Sequence, residues 1–349
     1  MRISVDLPAR WDTGWYVGLA SGSYKWDGGI GRFENLAFFP AYPLALAAAA
    51  WATGAVSEAA WNWTGVVLST SFLALALVVL WHLAREFTDE RRATWSVWLC
   101  ASYPFALFFG LPYTESLFLL GLGATTLAYD RRWFGAATAL GVVVGLTRPN
   151  GIMLVPVLLI LGVAQLRRTA RGNQPIEASN VAAITLAAFA PLLGMAVYSA
   201  FVYGLTGHPF TWALVQDGWG RPATNPVTAL ASPLVSMLIR PLDTLRNAPH
   251  DVMNAVAGVL ALAAVVPVTR RLGVAQGLLV LEGVVIPLTF GGVPSLGRYT
   301  AVLFPIHIWL AASIPARALP WTLGAFAVLQ AAAAAMFFTW RSLYGARPA

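Results

Sequence analysis

The stretch WTGVVLSTSFLALALVVLWHL, residues 63–83, contains no Asp, Glu, Lys or Arg. Its length matches the roughly 20 helical residues that cross the hydrocarbon core of a bilayer. A second such stretch covers residues 182–202. Over all 349 residues, 58% are hydrophobic and 11% are charged, whereas a soluble domain carries about 25% charged residues. The sequence therefore predicts an all-α polytopic membrane protein.

Apolar runs separated by polar breaks predict a bundle of about ten transmembrane helices. We predict a single domain over residues 1–349, in which residues 1–37 form an outer loop with an interfacial helix and residues 38–340 form the bundle. Within the bundle, 205–250 is a long outer loop, and 38–53 is a re-entrant or steeply tilted helix. If that helix crosses instead, the opening loop faces the cytoplasm. The predicted spans are 61–84, 93–110, 113–129, 133–147, 151–166, 181–204, 251–269, 273–290, 299–316 and 319–340.

Clusters of arginine fall at every second loop and predict that these loops are cytoplasmic. The net charge of +7 thus reflects membrane topology and does not indicate nucleic-acid binding. The single lysine, Lys25, beside 21 arginines suggests a GC-rich bacterial genome and hence a bacterial plasma membrane. The lone cysteine, Cys100, excludes an internal disulfide. The clusters are Arg85/Arg91/Arg92, Arg131/Arg132, Arg167/Arg168/Arg171, Arg270/Arg271 and Arg317.

The opening loop holds one carboxylate, Asp12, among large aromatic side chains. Trp11, Trp15 and Leu19 recur at helical spacing and predict a short helix that lies flat at the bilayer interface. Asp12 and Tyr16 share the neighbouring face of that helix. A carboxylate held against aromatic rings loses hydration, which suits a general base. The alternative is that Asp12 only caps the short helix.

Three further charged residues lie at helix ends on the outer side. Glu115 begins a predicted span, where the helix dipole stabilises it or where it points into a cavity. Arg148 and Arg298 break the positive-inside pattern, and a guanidinium matches phosphate oxygens. They therefore predict a phosphate-bearing ligand on the outer side. The alternative is a structural ion pair, for example between Arg148 and Glu115.

Five segments together resemble one known family, the PIG-V-like mannosyltransferases, which comprise GPI mannosyltransferase II and its bacterial relatives. RWDTGWYVGLASGSY (10–24) resembles that family's W-D-x-x-x-Y-x-x-I-A-x-x-G-Y element, and ENLAFFPAYP (34–43) its E-x-x-A-F-F-P-x-Y-P. PYTESLF (112–118) resembles Y-[ST]-E-S-L-F, TRPNGI (147–152) resembles R-[SP]-N-G-[IL], and GRYTAVLFP (297–305) resembles R-Y-x-x-x-x-F-P. The segments follow the family's order along the chain.

The family belongs to the GT-C superfamily of polytopic glycosyltransferases, which use polyprenyl- or dolichyl-phosphate sugars. The resemblance implies transfer of a sugar, mannose in the family, from a polyprenyl-phosphate donor to an outward-facing glycan or glycolipid acceptor that it does not identify. It implies that Asp12 is the catalytic carboxylate and that no cofactor takes part. The residues predicted to bind substrate are Trp11, Tyr16, Glu34, Tyr113, Glu115, Arg148, Asn150, Arg298 and Tyr299.

The sequence contains no HExxH, CxxC or paired-His spacing and no GxxxxGK[ST] motif, so it predicts neither a metal site nor ATP binding. Family members carry a transmembrane helix before the W-D motif, whereas ten residues precede Trp11 here. The resemblance thus implies that the family's first helix is missing. Two alternative functions remain open at this point: a non-enzymatic transporter or flippase of lipid-linked sugars, and a truncated inactive copy.

Overall fold

The computed structural model describes residues 7–29, 34–219 and 223–339. These residues form α-helices and short 3₁₀ turns and no β-strand, which confirms the predicted all-α class. The helices, in chain order, are α1 (Thr13–Ser21), α2 (Ala41–Thr53), α3 (Glu58–Arg85), α4 (Glu90–Ala101), α5 (Glu115–Asp130), α6 (Phe134–Thr147), α7 (Leu154–Arg171), α8 (Ala178–Thr206), α9 (Thr211–Leu214), α10 (Pro226–Ile239), α11 (Pro241–Asn247), α12 (Pro249–Leu272), α13 (Val274–Thr289), α14 (Leu296–Ala301), α15 (Phe304–Ser313) and α16 (Leu319–Phe338).

The longest apolar stretches form the longest helices. Residues 63–83 lie within α3, which begins where the Ser57 side chain accepts a hydrogen bond from the backbone N–H of Ala60 and ends at Arg85. A serine cap and a basic last turn are the ordinary stabilisers of helix ends. Five stretches in the described part of the chain are long and apolar enough to cross a membrane: Glu58–Arg85, Pro149–Arg171, Ala178–Thr206, Pro249–Leu272 and Leu319–Phe338.

Two predicted spans are broken, because proline interrupts them. The span predicted at 93–110 ends at Ala101, shortly before Pro104, and continues only as a 3₁₀ turn over Ala106–Gly110. The span predicted at 299–316 divides into α14 and α15, and Pro305 occupies the first turn of α15. Proline lacks a backbone N–H and disfavours helical geometry in the preceding residue.

The segment predicted as a long outer loop, 205–250, is largely helical. It contains α9, α10, α11 and a 3₁₀ turn at Asp217–Trp219. Proline is the first residue of α10, α11 and α12. Proline at this position fits a helix start, since its fixed φ is helical and the missing N–H would have no partner there.

Helices α6 and α8 approach each other through glycine. A Cβ atom added at Gly145 would lie 1.9 Å from the carbonyl oxygen of Pro191, and one added at Gly194 would lie 2.2 Å from that of Val142. Small residues at such contacts allow the backbones of membrane helices to pack closely. This contact anchors α6, whose C-terminal end carries Arg148.

The charged residues separate into two ends of the bundle. At one end, Arg131 forms an ion pair with Glu86 at 3.8 Å, and Arg92 donates to the carbonyl oxygens of Ala311 and Ile314 at 2.6 and 2.5 Å. Two of the predicted cytoplasmic clusters, 85–92 and 131–132, therefore meet at this end. Asp12, Glu115, Arg148 and Arg298 meet elsewhere, at the opposite ends of α5 and α15.

Helix α2 runs across α3 rather than alongside it. Tyr42, near its start, donates to the carbonyl oxygen of Gly65 at 3.2 Å and bonds Ser69 at 2.8 Å, while Thr53, its last residue, contacts Thr64 at 3.5 Å. The 11 helical steps from Tyr42 to Thr53 span about 16 Å, but the five steps from 64 to 69 span only about 7.5 Å. Helix α2 therefore lies at an angle to α3.

The interfacial face predicted for α1 is partly wrong. Helix α1 buries Thr13, Tyr16, Val17 and Leu19 rather than a Trp11–Trp15–Leu19 stripe. Trp15 is half-buried because its ring stacks on Phe38 at 5.7 Å. The helix therefore packs on the bundle, which holds the segment after Asp12 in a fixed orientation.

Candidate active site

Asp12 stands immediately before α1, but its side chain does not cap the helix. Its backbone carbonyl accepts the first helical hydrogen bonds, from the N–H groups of Trp15 and Tyr16 at 3.0 and 3.2 Å. Its carboxylate instead accepts from Arg298, with 2.8 Å between Oδ2 and Nη1. The helix-cap alternative is therefore wrong, and the Asp12 carboxylate faces a guanidinium.

Tyr113 ties the opening segment to the loop before α5. Its buried hydroxyl donates to the carbonyl oxygen of Arg10 at 3.1 Å and accepts from the backbone N–H of Asp12 at 3.1 Å. Next to it, the hydroxyl of Tyr16 lies 3.5 Å from that of Thr114. Burial raises the pKa of Tyr16 to about 12, so its hydroxyl stays protonated at neutral pH. The backbone of Asp12 is thus held by one phenol.

Glu115 is the first residue of α5 and connects both arginines. Its Oε1 accepts from Arg148 Nη2 at 2.5 Å and lies 3.5 Å from Arg298 Nε. Its side chain is fully buried, and 8% of the Arg148 side chain and 3% of the Arg298 side chain are exposed. The N-terminus of α5 favours the negative charge of Glu115, and the same carboxylate binds both arginines. The Arg148–Glu115 ion pair, which we kept as an alternative, is present.

The four charged groups form one chain of contacts in the order Asp12, Arg298, Glu115, Arg148, called here the charged quartet. It contains two positive and two negative groups, so its formal charge is zero. Its most exposed side chain is that of Asp12, at 13%. Asp12 is therefore the member of the quartet that is most accessible from the surface.

Aromatic rings surround the guanidinium groups of the quartet. The Tyr299 ring centroid lies 5.1 Å from Cζ of Arg148 and 5.7 Å from Cζ of Arg298. The rings of Phe108 and Tyr113 lie 5.8 and 5.7 Å from Cζ of Arg298. Ring faces attract cations and exclude water, which strengthens the charge interactions inside. Sequence reasoning missed Phe108, although the aromatic run before Pro112 was a signal.

The remaining predicted site residues lie around this core. Trp11 directly precedes Asp12 with a positive φ of 51° and is half-buried. The backbone carbonyl of Glu34 accepts from Trp219 Nε1 at 3.2 Å, and the Trp219 ring packs edge-on against Trp15 at 4.9 Å. Asn150 follows Arg148 in a 3₁₀ turn, and its side chain makes no hydrogen bond within the described residues. The structure therefore joins Tyr113 and Tyr299 to the quartet more directly than Glu34 or Asn150.

A buried network that sequence reasoning missed holds Arg298 in place. The backbone N–H of Gly297 donates to Asn254 Oδ1 at 2.6 Å, and its carbonyl oxygen accepts from Thr300 at 2.8 Å. The hydroxyl of Tyr103 bonds that of Thr300 at 2.9 Å. The signal in the sequence was Asn254 itself, because a polar amide in an apolar helix is costly without a specific partner.

Comparison with solved structures shows a shared fold. The chain is similar to the apo form of the oligosaccharyltransferase of Archaeoglobus fulgidus, with 17% identity and a TM-score of 0.50 over 99% of this chain and 55% of that one. The same archaeal protein in complex with an inhibitory peptide and a dolichol-phosphate matches with 14% identity and a TM-score of 0.47, over 99% of this chain and 55% of that one. The chain thus spans about half the length of these proteins.

No family model matches the chain, and no curated protein matches it by sequence. The likeness to the apo archaeal structure, at 17% identity, concerns the fold alone. That fold is of the GT-C type, as predicted from the sequence. The described chain is therefore an all-α polytopic membrane protein with a GT-C fold, which carries a buried charged quartet between helix ends.

Proposed function

We propose that the chain is a GT-C glycosyltransferase of the bacterial PIG-V-like type. It transfers a sugar, mannose by family resemblance, from a polyprenyl-phosphate donor to a glycan or glycolipid acceptor on the outer side of the plasma membrane. One observation carries the proposal: Arg298, a residue type that binds phosphate, lies 2.8 Å from Asp12, the residue that resemblance marks as catalytic. These residues are 286 positions apart in the chain, yet they meet in one buried group.

In the proposed reaction, the acceptor hydroxyl oxygen attacks the anomeric carbon of the donor sugar. The bond between that carbon and the phosphate oxygen breaks, and its electron pair leaves with the polyprenyl phosphate. Asp12 takes the proton of the attacking hydroxyl and acts as general base. Attack opposite the leaving phosphate inverts the configuration of the anomeric carbon.

The arginines of the quartet supply the positive charge that the leaving phosphate needs. Fixed, partly dehydrated cations stabilise charge that develops during a reaction better than water does. The proposed reaction therefore uses no metal and no nucleotide. Arg298 contacts Asp12 at 2.8 Å and Glu115 at 3.5 Å, so donor binding would exchange its Asp12 contact for a phosphate oxygen. That exchange would release the Asp12 carboxylate to face the acceptor.

The test uses purified protein and a radiolabelled, short-chain polyprenyl-phosphate mannose, with a cell-envelope extract as the source of acceptors. We expect Asp12→Asn to lower transfer by about 10²- to 10⁴-fold, the usual contribution of a general base. Asp27→Asn is the matched control, because Asp27 lies in the same segment and is exposed. Transfer that survives Asp12→Asn would refute the assignment. Movement of the lipid between leaflets without transfer would indicate a flippase instead.

Orientation is tested with single cysteines and a membrane-impermeant maleimide on intact cells. The native Cys100 is buried and gives no background. We expect Ser21→Cys and Val56→Cys to react from outside, since both positions are exposed. Arg317→Cys, at the opposite end, should react only after cell lysis. Labelling of position 21 only after lysis would contradict an outward-facing site.

A further inference from the structure

Two buried, charged atoms of the quartet have no hydrogen-bond partner among the described residues. They are Glu115 Oε2 and Arg148 Nη1. The residues that carry them are 0% and 6% exposed. A buried donor or acceptor without a partner is costly, and the cost is larger for a charged group. Such atoms in a folded protein call for an explanation, and a role in ligand binding is one.

The two atoms belong to one ion pair, which is joined along a single edge. Glu115 Oε1 accepts from Arg148 Nη2 at 2.5 Å, and Arg298 Nε lies 3.5 Å from the same oxygen. In a two-pronged carboxylate–guanidinium pair, the second oxygen and the second nitrogen would also meet. Here both arginines contact the same oxygen, so the other oxygen remains available.

The chemistry of these atoms restricts what can bind them. An ionised carboxylate only accepts hydrogen bonds, and a guanidinium only donates them. The ligand must therefore present a hydrogen-bond donor to Glu115 and an acceptor to Arg148 within a short distance. A carboxylate would meet Arg148 but be repelled by Glu115, because it has no hydrogen-bond donor. A neutral sugar would meet Glu115 but bring no anionic acceptor to Arg148 Nη1.

From this we infer that Glu115 binds a hydroxyl of the donor sugar beside its anomeric phosphate, while Arg148 binds the phosphate. The ligand class is a glycosyl phosphate with a free hydroxyl on the carbon next to the anomeric carbon. This inference rests on the proposed function and assigns Glu115 a role in sugar selection. The phosphate then lies at the two arginines, and the sugar lies beside Glu115 Oε2.

The test measures binding rather than transfer, because removing that hydroxyl also changes the reactivity of the anomeric carbon. Short-chain polyprenyl-phosphate mannose and its 2-deoxy analogue are titrated against the purified full chain by calorimetry. The unaltered protein should bind the mannose compound about 10- to 100-fold more tightly, as expected for a hydrogen bond to a charged group. The 3-, 4- and 6-deoxy analogues should lose less binding affinity than the 2-deoxy analogue. Equal binding of the mannose and 2-deoxy compounds would overturn the inference without any variant.

Three variants test whether Glu115 causes the preference for the mannose compound. Glu115→Gln removes the charged acceptor and leaves only a neutral amide to bond the sugar hydroxyl, so the preference for the mannose compound should become much smaller. Glu86→Gln, at the opposite end of the bundle, is the matched control and should keep the preference. Arg148→Lys should weaken the binding of both compounds by a similar factor and leave the preference for the mannose compound intact. A preference of undiminished size in Glu115→Gln would refute the role of Glu115, whereas failure of the unaltered protein to bind either compound would refute the proposed function itself.

Discussion

Replacing Arg298 by methionine tests whether the quartet is one coupled electrostatic unit. The substitution keeps a long side chain of similar length but removes both charge contacts of Arg298, with Asp12 at 2.8 Å and with Glu115 at 3.5 Å. Arg148 remains as the partner of Glu115. Asp12 loses the partner of its Oδ2 atom, although 87% of its side chain is shielded from solvent.

The magnitude follows from these distances and from burial. With an effective dielectric constant of about 20, Coulomb's law gives an attraction of about 6 kcal/mol at 2.8 Å and about 5 kcal/mol at 3.5 Å. Desolvation offsets most of this, and removing one partner of a buried pair typically costs about 3–5 kcal/mol. We expect Arg298→Met to lower the free energy of unfolding by that amount. Asp12→Asn should lower the free energy of unfolding by only about 1–2 kcal/mol, because Arg298 keeps its contact with Glu115.

The assay is unfolding by sodium dodecyl sulfate in mixed micelles, followed by circular dichroism. The double variant Asp12→Asn/Arg298→Met no longer contains an unpaired Asp12 charge. It should therefore be more stable than the sum of the single effects predicts, by about 2 kcal/mol. Asp27→Asn, an exposed aspartate, should stay within about 0.5 kcal/mol of the unaltered protein. Additive single effects would refute direct coupling between Asp12 and Arg298.

Two further predictions concern the residues around the quartet. Gly297→Ala places a Cβ atom 2.2 Å from the ring of Phe105, so it should destabilise the protein by at least about 1–3 kcal/mol in the same assay. Gly18→Ala should not destabilise the protein, because no atom lies within 4 Å of its new Cβ. Equal losses of stability in Gly297→Ala and Gly18→Ala would contradict the close packing of Gly297 on Phe105. Tyr16→Phe should reduce the loss of stability on raising the pH from 10 to 12, because the folded protein holds the Tyr16 proton up to a pKa of about 12 whereas the unfolded chain releases it near 10. Identical pH profiles for Tyr16→Phe and the unaltered protein would contradict the burial of this phenol.

The positions of the long helices follow from the sequence, because a run of about 20 apolar residues has few alternatives in a membrane protein. The predicted spans 61–84 and 181–204 lie within Glu58–Arg85 and Ala178–Thr206. The errors arose where apolar composition continues but helical geometry stops. The interruption before Pro104 and the one before Pro305 are local backbone effects, which composition averaged over a span does not reveal.

The helices within 205–250 were missed for the opposite reason. Helix α10 leaves none of its residues fully buried, so its sequence lacks a marked core-facing pattern. Its start, however, was readable: Asn225 accepts from the backbone N–H groups of Val227 and Thr228 at 2.9 and 3.3 Å, and Pro226 follows directly. An asparagine cap followed by proline is a local signal that outweighs the absence of periodicity.

The members of the quartet could be predicted from sequence, and one pairing, Arg148 with Glu115, was offered there as an alternative. The pairing of Asp12 with Arg298 could not be predicted. Their predicted outward position, their charge and the family resemblance singled out Asp12, Glu115, Arg148 and Arg298 individually. Which carboxylate meets which arginine depends on how α1, α5, α6 and α14 pack, and the contacts join residues up to 286 positions apart. The same holds for Asn254, whose role depends on a single backbone N–H of Gly297 in another helix.

Because the quartet is neutral, the net charge at the site can stay constant during the proposed reaction. Two carboxylates and two guanidinium groups are neutral together, and a phosphodiester donor brings one negative charge. When Asp12 takes the acceptor proton it loses its charge, and the departing phosphate monoester gains one. The net charge beside the arginines is therefore unchanged, while the negative charge moves from Asp12 to the phosphate. Arg298 contacts Asp12 and lies between it and Glu115, so a small shift of one guanidinium could follow that charge, with little reorganisation of the surrounding groups.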